Sequence, residues 1–271
     1  MQRRCRYEPL SAQPLVLVLC QIRFSPVRQM ARYIPAIQDA FRRTGFPIER
    51  AEKVHQVTFG PGVAAPVQTV EKQRWEYRNR EETWSILVTE DNVILQTTAY
   101  TRFEQFAERL RLAVDTVLAE SEHDGFGVVH RIGLRYVDMV RPRAGKGFRF
   151  YLRRGLHGVP DEVFQPGPHL LHVESRGRTM VGDHPGTMIV RVVQNDQGHS
   201  LPPDLVAAAP KYAPRAGPGE LVTMIDMDHY VEGTFDPDSE WVVARSYELH
   251  DHIVETFHDH VVTKEAVEEW K

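Results

Sequence analysis

The order of its strand-like and helix-like segments is the feature that most constrains the fold of this chain. A strand is followed by a helix, then by three or four strands, a second helix, five further strands and a third helix. A parallel sheet needs strands and helices that alternate, and no such alternation is present. We therefore predict an α+β fold with antiparallel sheets, each covered on one face by helices. The order also allows two similar halves.

Apolar spacing and turn residues set the expected elements. The predicted strands lie at 15–24, 54–59, 73–77, 84–89, 93–100, 128–140, 148–152, 170–175, 187–193 and 221–229. The predicted helices lie at 27–44 with Ser25 as N-cap, at 102–121, at 239–260, and in a short segment capped by Thr263. Glycines 125 and 127 divide the chain into α+β halves at 1–124 and 125–271. The segment 201–220 is rich in Pro, Ala and Gly, which predicts a mobile loop.

The N-terminus combines basic residues with an apolar run at 14–20, as a signal peptide does. That run is short, and Gln21 and Arg23 follow it, so a buried strand explains it better. No stretch approaches the ~20 apolar residues of a membrane helix. We therefore expect a cytoplasmic protein without a membrane partner. Cys5 and Cys20 should then be free thiols.

Basic and acidic residues occupy different parts of the chain. Arginines concentrate in 1–50 and 141–154, and acids in 220–271. This asymmetry fits either an anionic partner or mutual neutralisation within the fold or across a subunit interface. For the first alternative, the nucleic-acid candidates are Arg131, Arg135, Arg141, Arg143, Arg149, Arg153 and Arg154, because aromatic residues that can stack on bases are interleaved with them. For the second, the basic stretch would pair with Asp251, Glu255 and Asp259.

A metal site is a further hypothesis. His252, Glu255, His258 and Asp259 have helical spacing that could chelate zinc or a similar ion. Asp226 and Asp228 alternate on one strand, so both carboxylates share a face and could hold a hydrolytic metal ion with a helix His or acid. Solvated helix and strand faces would explain the same residues. No Gly-x-Ser-x-Gly motif and no phosphate-binding loop occur, and no cofactor is predicted.

Four segments carry a family resemblance. They are PLVLVLCQIRF at 14–24, RIGLRYVD at 131–138, MIDMD at 224–228, and Leu249-His250 followed by Phe257 and Thr263. Together they resemble a sporadically distributed bacterial family of about 250 residues with no assigned function, a length that fits one unit. The resemblance implies a single cytoplasmic unit. Such patchy distribution is typical of mobile-element or phage-defence genes.

The sequence favours a non-catalytic binding or scaffolding module within a multi-protein bacterial system, with phage defence as one setting. A protein partner is expected, and a small ligand or a nucleic acid could also be bound. One alternative is a nucleic-acid-binding subunit that uses the basic region 131–154. The other is a metal-dependent hydrolase or nuclease that uses Asp226 and Asp228. The sequence leaves catalysis and the oligomeric state open.

Overall fold

The strands form a single antiparallel sheet. The structure is a computed structural model that describes residues 7, 10–59, 66–121, 127–159, 163, 171–195, 201–206, 209–211 and 220–271. Within these residues the strands are β1 (Leu15–Phe24), β2 (Ile48–Phe59), β3 (Pro66–Arg78), β4 (Trp84–Val88), β5 (Asn92–Thr97), β6 (Val129–Val140), β7 (Leu171–Val181), β8 (His184–Asn195) and β9 (Val222–Phe235). Their order across the sheet is β2-β3-β4-β5-β1-β6-β9-β8-β7.

Three long helices pack on one face of this sheet. The helices are α1 (Met30–Arg43), α2 (Phe103–Glu120), α3 (Phe148–Tyr151), α4 (Pro203–Val206), α5 (Ser239–Thr256) and α6 (Lys264–Trp270), and a π-helical turn at Phe257–Val261 continues α5. The main core lies between the sheet and α1, α2 and α5. The α+β class with antiparallel strands is therefore confirmed. The sequence predicted more than one sheet. The described strands form a single sheet, because β1 and β6 pair with each other.

Strand β1 is buried on both faces, which explains its nearly continuous apolar sequence. Val18, Cys20 and Ile22 point toward the helices. Leu17 and Leu19 point to the opposite face, which the long helices α1, α2 and α5 do not cover and which we call the helix-free face. Cys20 is a free, buried thiol, and burial raises its pKa. Cys5 lies outside the described residues.

The segment predicted to be a mobile loop is docked wherever the structure describes it. Leu201 is 3% exposed and joins Leu205 over the apolar part of the helix-free face. The backbone N–H of Lys211 donates to the carbonyl of Glu82 at 2.7 Å. We call residues 201–206 and 209–211 the strap. The rest of the predicted loop that the structure describes is Glu220, and 212–219 lie outside the described residues.

Two local predictions were wrong. The segment 148–152 was expected to be a strand, but Phe148–Tyr151 is a short helix, in which Phe148 and Tyr151, three residues apart, both pack against the core. Ser25 was expected to cap α1, but the helix begins at Met30 and the Ser25 hydroxyl bonds instead to His130 Nε2 at 3.0 Å. The cap at Thr263 is confirmed by its bond to the backbone N–H of Ala266.

The described helices include none with the length and apolar composition needed to cross a bilayer.

Candidate ligand cavity

A cavity of about 380 Å³ lies between the sheet and the helix layer. β6 contributes Tyr136 and Asp138, two residues apart and therefore on the same, helix-facing side. The first turn of α2 contributes Phe103, and α5 contributes His250 and Ile253. The walls are mostly apolar, and Tyr136, Asp138 and His250 contribute polar groups to them. This composition is typical of sites for small organic molecules.

A tyrosine–histidine pair forms part of the cavity wall. The Tyr136 hydroxyl lies 2.8 Å from His250 Nδ1 and 3.3 Å from the Tyr100 hydroxyl. The His250 ring stacks on Phe103 with ring centroids 4.1 Å apart and planes within 2°. Burial lowers the pKa of His250 to about 3, so the imidazole is neutral at physiological pH. These contacts fix the orientation of Tyr136, Phe103 and His250.

Asp138 is the least expected group in the cavity. Asp138 is only 4% exposed to solvent. Burial, and to a lesser degree the negative charge of Asp226, raises the pKa of Asp138 to about 8. Among the described residues, none donates a hydrogen bond to its carboxyl group or forms an ion pair with it. A buried carboxylate without a partner is costly, so the acid is mostly protonated at neutral pH.

The opening of the cavity carries exposed charges. Arg102 and Glu104 line it at the start of α2, and both are exposed. Tyr7 stacks on His258 with ring centroids 4.1 Å apart, and its hydroxyl donates to Asp259. Two of the residues predicted as metal ligands thus take part in contacts beside the opening.

The helix-free face carries a network of ion pairs. Arg135 Nε donates to Asp226 at 2.7 Å, and a second nitrogen of Arg135 reaches Asp204 of the strap at 2.6 Å. Arg191 contacts the other oxygen of Asp226 at 3.2 Å. Asp226 is 1% exposed, so these arginines compensate a fully buried charge.

The structure does not bring the predicted metal ligands together. The carboxylates of Asp226 and Asp228 lie on the helix-free face, and arginines pair with both of them. His252, Glu255, His258 and Asp259 belong to α5 and its π-helical turn, on the other side of the sheet. Within the described residues, no group of three or more His, Cys, Asp or Glu side chains could hold a metal ion. The sheet therefore separates Asp226 and Asp228 from the helix residues with which they were expected to share a metal ion.

The predicted nucleic-acid arginines are divided between two places. Arg131 and Arg135 lie on the helix-free face and are 15% and 13% exposed in their side chains, within ion pairs to Asp228 and Asp226. The others follow β6 and lie near the C-terminal helices: Arg141 pairs with Glu220, Arg143 with Glu269, and Arg153 Nε donates to the carbonyl of Val262, whereas Arg149 and Arg154 are exposed.

An acid of the C-terminal helix pairs with the basic stretch. Arg143 and Lys146 both contact Glu269 of α6, at 3.0 and 2.5 Å. Glu269 was not among the acids expected to neutralise this stretch. Opposite charges in the middle and at the C-terminal end of the chain therefore meet within the fold at this position.

Sequence reasoning missed most of the cavity. His250 was noted only within a family resemblance, and Tyr136, Asp138 and Phe103 were not considered as site residues. One signal was available: Asp138 is an acid between Val137 and Met139, in a strand that is apolar on either side of it. An acidic residue within a buried strand indicates a functional site more often than an acidic residue on the surface does.

The fold and the cavity define the class of protein: an α+β protein with one antiparallel sheet, a one-sided helix layer and a ligand-sized cavity between them. No family model matches the chain, and no curated protein matches it.

Proposed function

We propose that this protein is a non-catalytic binding module and that the cavity is its site for a small organic ligand. The observation that carries the proposal is the cavity of about 380 Å³, with apolar walls and with Asp138, Tyr136 and His250 converging on it. A cavity of this size can enclose most of a small ligand, and convergent polar groups can fix its orientation.

The rigidity of the walls supports this proposal. Tyr136 is held by His250 and Tyr100, and His250 is held against Phe103. Their strand and helices belong to the main core. A site built on rigid elements loses little conformational entropy when a ligand binds, so more of the contact energy appears as affinity.

The chemistry of the polar groups supports binding over catalysis. A general base needs a pKa near the working pH and access to the reacting proton. The pKa of His250 is far below neutrality, and its Nδ1 is engaged with Tyr136. Asp138 titrates close to neutrality, but the described lining of the cavity contains no serine, threonine, cysteine or lysine that it could activate. These groups are suited to orienting a ligand.

A fragment screen tests the proposal. We expect some fragments to bind and to shift the NMR signals of residues on β6, α2 and α5 that line the cavity. Val254→Trp should abolish this binding, because Val254 lines the cavity and the indole would fill it. Ala119→Trp is the matched control, since it adds the same ring to an exposed position of α2. The proposal is wrong if no fragment binds in the cavity or if both variants bind equally well.

We also infer that the halves 1–124 and 125–271 are diverged copies of one unit. In each half the first strand pairs with the last one, β1 with β5 and β6 with β9. In each half a long helix follows the last strand, and these helices, α2 and α5, contact each other. This repeat places the cavity where the two units meet. The family resemblance and a role in a multi-protein system stay predictions.

A further inference from the structure

We propose that the cavity selects ligands that carry a protonated amine, with Asp138 as the counter-ion and aromatic rings as the walls around it. This inference rests on the proposed function, because it requires that the cavity binds a ligand. It adds the chemical class of that ligand.

The fold gives Asp138 no cationic partner among the described residues. The strand that carries it also carries Arg131 and Arg135, but these are odd-numbered positions whose side chains lie on the helix-free face. Those arginines form ion pairs with Asp226 and Asp228 on the neighbouring strand. Among the described residues, the one arginine that lines the cavity is Arg102, which is exposed at its opening. A cation for Asp138 therefore has to arrive from outside the described chain.

The surroundings of Asp138 suit an organic ammonium group. Tyr100 and Tyr136 line the cavity with their rings 5.7 Å apart at an angle of 63°, and Phe103 lies beside them. The faces of aromatic rings attract cations, and the attraction is strongest where water is excluded. An ammonium group would also donate a charge-assisted hydrogen bond to the carboxylate, which is stronger than a neutral one.

Other ligand classes fit less well. A metal ion needs several oxygen, nitrogen or sulfur ligands at close range, and no such group of His, Cys, Asp or Glu exists in the described part of the chain. An organic anion would meet the buried carboxyl of Asp138. A neutral ligand could accept a hydrogen bond from the protonated acid, and the experiment below separates this case from the ammonium.

Binding of an ammonium ligand should be coupled to the ionisation of Asp138. Asp138 must ionise when an ammonium group pairs with it, so binding at neutral pH should release a proton. The other charged or titratable groups that line the cavity are Tyr7, Tyr100, Arg102, Glu104, Tyr136, His250 and His258. Of these, Glu104 is the one acid, and it is exposed. It serves as the control for simple attraction at the opening.

Three probes with one common ring system test the charge preference by calorimetry. They are tryptamine, the corresponding alcohol tryptophol, and the corresponding acid indole-3-propionate. We expect wild-type protein to bind tryptamine at least about 10-fold more tightly than tryptophol, a usual gain for a charge-assisted bond, and to bind the acid most weakly. Asp138→Asn should remove the preference for the amine, whereas Glu104→Gln should retain it.

The outcomes separate this inference from the proposed function. Equal affinity for amine and alcohol in the wild type would overturn the ammonium preference, and the cavity would remain a ligand site. Loss of the preference in Glu104→Gln, with the preference retained in Asp138→Asn, would overturn it as well, because the opening would then attract the cation. Binding of none of the probes, together with a fragment screen that finds no ligand in the cavity, would refute both proposals.

Discussion

Replacing Asp138 with asparagine should stabilise the protein at high pH and have little effect at low pH. Burial raises the pKa of Asp138 to about 8 in the folded protein, and an unfolded chain gives an aspartate its ordinary value near 3.9. Between these two values the folded protein holds a proton that the unfolded chain has lost. The free energy of unfolding therefore decreases as the pH rises through this range. Asparagine is nearly isosteric with aspartate and does not titrate.

The magnitude follows from the same two pKa values. Each pH unit between them changes the free energy of unfolding by about 1.4 kcal/mol, so an interval of about four units sets an upper limit of about 6 kcal/mol. Water that enters the cavity will solvate the carboxylate and reduce this value. We expect the stability of Asp138→Asn relative to wild type to increase by about 2–4 kcal/mol from pH 4 to pH 8.

Urea denaturation at several pH values, followed by tryptophan fluorescence, measures this difference. The pKa values of His250 and His229 are lowered by burial, to about 3 and about 4, so both residues make the protein less stable as the pH falls below 6.5. That effect is common to the wild type and the variant and cancels in the difference. Glu104→Gln, at the exposed rim, should give a difference that stays flat. A flat difference for Asp138→Asn, or a variant less stable than wild type at pH 8, would show that Asp138 has a partner and would refute the reasoning.

Three other predictions follow from packing and charge. Phe257 is 8% exposed, so Phe257→Ala should lower the free energy of unfolding by about 3 kcal/mol in urea titrations, and a loss under about 1 kcal/mol would contradict its place in the core. Leu201→Ala should make cleavage within 201–211 faster in limited proteolysis, because Leu201 anchors the strap; an unchanged rate would mean that the strap is not held there. If the exposed Arg149 and Arg154 bind nucleic acid, the affinity should fall steeply with salt in fluorescence anisotropy, and replacing both by Glu should abolish it; binding that is insensitive to salt would contradict this role.

Apolar patterns were sufficient to predict the elements that carry the sheet and its main helices. The predicted strand at 15–24 and the predicted helix at 102–121 agree with β1 and α2 to within one residue at each end. Both segments bury long runs of side chains, so a local pattern reports the tertiary environment directly. The aromatic run at 148–152 failed because alternation over five residues fits a strand and a single helical turn equally well.

The strap and the cavity depend on contacts between distant segments, which local patterns do not record. Two leucines, Leu201 and Leu205, are too few to predict that this segment is buried. They pack over Leu17 and Leu19, whose side chains point away from the helices, and local sequence does not record this contact. A Pro- and Ala-rich composition is common to docked and mobile segments. The cavity likewise requires β6, α2 and α5 to meet, and His250 becomes informative only beside Tyr136.

Among the described residues, the other buried carboxylates have arginine partners, and Asp138 differs from them in this respect. Asp226, 1% exposed, has two arginines, and Glu76, 4% exposed, accepts a hydrogen bond from Arg78 at 3.0 Å. Asp138 is as buried as Glu76, yet the described residues supply no cation to it. A protein that tolerates an unmatched buried acid loses stability, since each such group favours the unfolded state at neutral pH. The loss is confined to a position that lines a cavity, where a bound ligand can supply the missing charge. The carboxyl group of Asp138 lowers the stability of the protein alone, and the same group would form a strong ion pair with a bound cationic ligand.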